Sequence, residues 1–113
     1  MVQVKITGHV ESLNSIRVQL SDIIHSCLQE AINTPKDKRF QRFFPLAAED
    51  FYYPEERSER YTIIEIVMFE GRSVAAKKNL TRLLFNRINQ QLGIAVEDIE
   101  IAMFELPRHN WGI

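Results

Sequence analysis

The chain has 113 residues, 45% of them hydrophobic and 26% charged, and its 14 basic and 15 acidic side chains leave a formal charge of −1. That composition fits one globular domain with a core of its own, and the near-neutral balance supplies no overall field to draw nucleic acid or an anionic membrane. No apolar run reaches the roughly 18 residues of a membrane-spanning helix, no signal-peptide pattern opens the chain, and the lone Cys27 excludes a disulfide framework, so a cytoplasmic protein is expected.

After Met1, the residues Val2, Val4 and Ile6 alternate with Gln3, Lys5 and Thr7, the period of a half-buried strand. Ile16, Leu20, Ile23, Ile24, Cys27, Leu28 and Ala31 then recur at helical spacing and predict a helix over Ser12–Ile32 with one apolar stripe. Asn33 tolerates a left-handed cap and Pro35 cannot continue a helix, so the helix stops there; Arg39–Leu46 reads as a short strand. An irregular aromatic and charged connection follows, from Ala47 to Arg60.

Tyr61–Phe69 reads as a third strand, with Ile64, Ile66 and Met68 on one face and Ile63, Glu65 and Val67 on the other. Ser73 suits the N-cap of a second helix running to Leu92, Gly93 its left-handed C-cap, and Ile99–Leu106 is a last strand before Pro107. Lys77, Lys78, Arg82 and Arg87 give this helix a basic face. Without interleaved aromatics or net positive charge, that face reads as solvated rather than as a nucleic-acid surface.

The two halves are one pattern written twice. Shifted by 60 positions, Val4 and Ile6 meet Ile64 and Ile66, and Leu20, Ile23, Ile24 and Leu28 meet Leu80, Leu83, Leu84 and Ile88. Asn33 meets Gly93, and Phe43, Phe44 and Leu46 meet Met103, Phe104 and Leu106, with no gap anywhere. The chain is therefore expected to be a single domain, 1–113, containing a repeat of 1–46 in 61–106. Its fold class is α+β, a two-layer α/β sandwich with a four-stranded mixed sheet. Right-handed β-α-β crossovers put both helices on one face, and the bare face calls for burial against copies of the chain.

With "RFQRF" at 39–43, "DFYYPEERSERYTIIEI" at 50–66, "FEGRS" at 69–73 and "PRHNWGI" at 107–113, the sequence resembles the tautomerase superfamily, in its malonate semialdehyde decarboxylase-like branch. The resemblance covers nearly the whole chain, and it implies the doubled β-α-β architecture, a homotrimer and a small carboxylate-bearing 2-oxo acid or enol as substrate. From the residues themselves, no metal or cofactor, no nucleic acid and no membrane partner is expected: His9, His25 and His109 stand in no metal-ligand spacing, the charge is near neutral and no apolar run is long enough. The family's site is built around an N-terminal proline freed by removal of the initiator methionine, an arginine that binds the substrate carboxylate, and in some members an aspartate after the first helix.

Carried over residue by residue, the likeness is uneven. Val2 stands where the proline belongs, Lys38 stands where the aspartate belongs with Asp37 one residue earlier, and Glu70 replaces one arginine of the family's pair. Arg72 matches the other arginine, and Trp111 matches an aromatic wall of the pocket. The candidate catalytic residues are thus Val2 and Arg72, and the candidate substrate-binding residues Arg72, Lys38 and Trp111.

An α-amine with its ordinary pKa of roughly 7.7–8.0 suits proton transfer near neutrality, and a guanidinium fork suits a carboxylate. The Gly71–Arg72–Ser73 turn is expected to aim the helix N-terminus at the same place. If Met1 is removed, Val2 offers a primary amine in the family's position; if Met1 is kept, the amine lies up to about 3.3–3.6 Å further along. The sequence thus supports an isomerase of altered or weakened activity. The alternative is a non-catalytic oligomer of the same fold that binds a small organic acid.

Overall fold

A computed structural model describes residues 1–113. Four strands, β1 (Val2–His9), β2 (Gln41–Leu46), β3 (Thr62–Phe69) and β4 (Ile99–Leu106), and two helices, α1 (Val10–Ile32) and α2 (Val74–Leu92), follow in the order β1-α1-β2-β3-α2-β4. The strands form one sheet in the order β2-β1-β3-β4. β1 pairs with β2 and β3 with β4 in parallel, while β1 and β3 run antiparallel at the centre.

The expected alternation decides which face is covered. Val2, Val4, Ile6, Ile64, Ile66 and Met68 point toward the helices and meet Leu13, Leu20, Ile24, Leu28, Leu80, Leu84 and Ile88 in one continuous core. The opposite face carries Lys5, Thr7, Ile63, Glu65, Val67, Phe44 and Phe104, and Phe44 and Phe104 are exposed.

The repeat is visible in the register. Lys5 lies directly opposite Glu65 across the central strand pair, and these two residues are themselves 60 positions apart. The pseudo-twofold axis that relates the halves therefore passes between them.

The caps follow the sequence. Asn33 takes a left-handed φ of 57° and Gly93 one of 68°, each closing its helix. At the start of α2 the Ser73 hydroxyl accepts the Ala76 amide at 3.1 Å. Ser73→Ala should lower the unfolding free energy by about 1 kcal/mol, read as a shifted urea midpoint with an unchanged slope.

Three boundaries differ from the sequence reading. α1 begins at Val10 rather than Ser12, because the chain turns from β1 into the helix at His9 without an intervening loop. β2 begins at Gln41 rather than Arg39, and β3 at Thr62 rather than Tyr61, since the ladder pairs start at Val4–Gln41 and end at Gly8–Thr62.

Cys27, whose repeat counterpart is Arg87, is fully buried. Arg87 crosses from α2 to α1, donating to the Ser26 hydroxyl at 3.3 Å and pairing with Glu30 at 2.5 Å. Of the basic face of α2, Lys77 is likewise engaged, by Glu105 at 2.8 Å.

Candidate functional site

The first residues of β1 lie between two chain reversals. On one side is the turn that leaves α1, Asn33 to Lys38. On the other is the end of β3, because the antiparallel pairing sets Val2 opposite Met68.

Beyond Phe69 the backbone reverses through Gly71, whose φ of +119° is open to glycine and strained for other residues. Glu70 is tied to the end of β4 by its amide, which donates to the Leu106 carbonyl at 2.9 Å. This reversal brings Arg72 to the beginning of β1. A cavity of about 320 Å³ results, lined by Met1, Val2, Asn33, Thr34, Pro35, Lys38, Phe40, Arg72 and Ile113.

The α1 turn is held from below. The ring of His25, buried in α1, reaches the Lys36 carbonyl at 2.9 Å, a contact that requires the proton on Nε2. The Lys38 amide donates to the Pro35 carbonyl at 3.0 Å, and the Val4 amide donates to the Phe40 carbonyl at 2.9 Å, which anchors the other wall to β1.

The charged side chains that line the cavity, Lys38 and Arg72, are both positive. Arg72 donates to the Phe69 carbonyl at 3.2 Å. The chain's three salt bridges join Arg39 to Asp22, Lys77 to Glu105 and Arg87 to Glu30, so neither Arg72 nor Lys38 has a carboxylate partner. An arginine that merely bridged to a surface acid would carry such a partner.

The α-amine of Met1 feels this field. Burial is the main cause that lowers its pKa below the ordinary 8.0, and the positive charges of Arg72 and then Arg108 lower it further. Arg108 lies over the Phe69 ring, 4.5 Å from its centre, which keeps its charge close to the chain terminus. The arrangement is an amine biased toward its neutral, proton-accepting form beside an unpaired guanidinium.

Of the residues read from the sequence, Val2, Lys38 and Arg72 line one cavity, and Trp111 is not among its walls. Trp111 packs on Phe69, with ring centres 5.2 Å apart, at the end of β3 next to the Arg72 turn. No residue of α2 lines the cavity: Arg72 stands in the turn ahead of the helix, and Ser73 spends its hydroxyl on the cap.

Sequence reading singled out neither Phe40 nor Ile113 as a wall, and it overlooked Arg108. Asn33, Thr34 and Pro35 were legible only as a helix stop. The signal in hand was the parallel β1-α1-β2 unit, whose crossover returns the chain from the end of α1 to the start of β1.

A family model described as "Tautomerase enzyme" matches residues 38–113. Over 98 residues the chain is 30% identical to the "Probable tautomerase YusQ" of Bacillus subtilis (strain 168), a match spanning 82% of this chain and 77% of that protein. Among solved structures, FG41 malonate semialdehyde decarboxylase inhibited by 3-bromopropiolate aligns with a TM-score of 0.86 at 22% identity, over 98% of this chain and 88% of that one. The R7 fused 4-OT wild-type asymmetric trimer aligns with a TM-score of 0.85 at 14% identity, over 98% and 91%. At these identities the solved structures establish the fold: the doubled β-α-β unit with two helices on one face of a mixed sheet is theirs.

Proposed function

Because the chain belongs to the tautomerase enzyme family, we propose that it is an enol–keto tautomerase of a small carboxylate-bearing 2-oxo acid. The observation that carries this reading is the meeting of the chain's first amine with the unpaired Arg72 at one cavity. Arg72 holds the carboxylate in its planar fork, and Lys38 adds positive charge at the rim. The neutral amine takes the enol hydroxyl proton, and the ammonium so formed delivers a proton to carbon 3, which regenerates the amine. Met1, Val2, Pro35, Phe40 and Ile113 give the cavity an apolar side, which suits an acid with a hydrocarbon or aryl group such as phenylenolpyruvate.

The pH profile tests this mechanism. Only the neutral amine accepts a proton, so kcat/KM for ketonisation should rise with pH through an apparent pKa below 8.0, the direction in which burial, Arg72 and Arg108 displace it. Arg108→Gln should move that limb upward. A profile that stays flat from pH 5 to 9 would remove the amine from the mechanism.

One observation favours a second reading, a non-catalytic oligomer that binds a small organic acid. The residue at the family's proline position is Val2, whose side chain is 5% exposed and belongs to the core. In that case carboxylates bind and no proton moves.

Both readings share a homotrimer. It is supported by the uncovered sheet face with Ile63, Val67, Phe44 and Phe104, and by the trimeric state in which a fused 4-OT of the same fold is described. Light scattering should return three times the 13.2 kDa chain mass, and a particle of 13.2 kDa would contradict it.

A further inference from the structure

A doubled unit related by a twofold axis builds every feature twice, so the cavity at the start of β1 has a counterpart at the start of β3. The shift of 60 positions names its parts: the walls Lys38, Phe40 and Arg72 correspond to Asp98, Glu100 and Ser12, while Met1 and Ile113 at the open cavity correspond to Tyr61 and Tyr53, whose rings fill the second one. All five of these residues are engaged with the connection between the halves or with one another.

The Tyr61 hydroxyl donates to Glu100 Oε1 at 2.6 Å. The Tyr61 ring stacks on Phe51, centres 5.6 Å apart, and meets Tyr53 at the same distance. The Arg57 guanidinium lies 5.4 Å from the centre of that ring. Asp98 accepts both the Ser58 amide at 2.8 Å and the Ser58 hydroxyl at 2.5 Å, and Ser12 donates to the Glu59 carbonyl at 2.8 Å. Burial agrees: Met1 is 36% exposed, whereas Tyr61 is 8% and Asp98 6%.

We infer that residues 51–61 occupy a second, charge-inverted copy of the binding cavity, with the Tyr61 ring as the bound group, so that each chain keeps a single open site. The chemistry of occupant and walls matches. Where the open cavity offers Lys38 and Arg72 to an anion, the closed copy offers the carboxylates of Asp98 and Glu100 to donors, and it receives a phenol hydroxyl, a serine hydroxyl and an amide. Emptied of its occupant, this copy rejects carboxylates and accepts a phenol. The inference concerns the second half of the chain and stands or falls separately from the tautomerase reading.

The test removes the occupant and returns it as a free molecule. Tyr61→Ala should be less stable than the parent, and p-cresol, the tyrosine side chain as a small molecule, should raise its melting temperature saturably with one molecule bound per chain. Toluene, which lacks the donor to Glu100, should bind at least about tenfold more weakly, and the parent protein should respond to neither. Should Tyr61→Ala not fold in buffer, refolding from urea supplies the same readout, with recovery in p-cresol and none in toluene. No stabilisation or recovery by p-cresol, or equal binding of p-cresol to the parent, would overturn the inference.

Discussion

Replacing Val2 with proline should raise kcat/KM for ketonisation of phenylenolpyruvate by roughly 100-fold, the scale on which a correctly placed acid–base group contributes. A residual primary amine differs from the family's catalyst in two respects, its substitution and its place. A secondary amine is of similar basicity, so placement decides the size of the gain. With Met1 present the amine sits one residue beyond the start of β1, a displacement of up to about 3.6 Å where about 1 Å already costs on the order of 100-fold.

The substitution is tolerable structurally because position 2 is the first residue of its strand, a place where proline occurs in sheets. Val2 fills core space against neighbours that include Met68, so a loss of about 1 kcal/mol in stability should accompany the gain. Intact mass of the variant reports whether Met1 is gone. Rates that stay at the parent's level in a folded variant lacking Met1 would favour the non-catalytic reading, since the remaining pocket would then be shown unable to use the family's amine.

Much of the fold was legible because the apolar positions keep two clean periods. Alternation in Ile64, Ile66 and Met68 and helical spacing in Leu20, Ile24 and Leu28 fix strand, helix and buried face at once, and the repeat fixes their order. Boundaries were less legible where tertiary contacts decide them. α1 gains its first two residues because the chain enters it straight from β1, and nothing in the local sequence marks that.

The site was legible in part. Arg72 and Val2 came from a motif, and their convergence depends on the register of β1 against β3, which no local pattern encodes. Trp111 was placed on the pocket wall by resemblance; within the single chain it packs on Phe69 and does not line the cavity. The two halves also differ where the repeat equates Cys27 with Arg87: the Arg87 side chain reaches across to Glu30 while Cys27 stays inside.

If a working carboxylate site lies between the chain's first amine and Arg72, Arg72→Ala must disable it. Arg72 is half-buried, has no acidic partner and spends one donor on the Phe69 carbonyl, so its remaining donors are available to a ligand. Losing two charge-assisted hydrogen bonds to a carboxylate is worth about 2.7 kcal/mol, or about 100-fold in kcat/KM. Arg72→Lys should recover only part of this, because an ammonium keeps the charge and loses the planar fork.

Ketonisation of phenylenolpyruvate should therefore be measured with the parent, Arg72→Ala and Arg72→Lys side by side, each first shown to be folded. The expected result is turnover above the buffer rate in the parent, a fall of about 100-fold in the alanine variant and an intermediate rate in the lysine variant. Equal rates in all three, above buffer or at it, would contradict it.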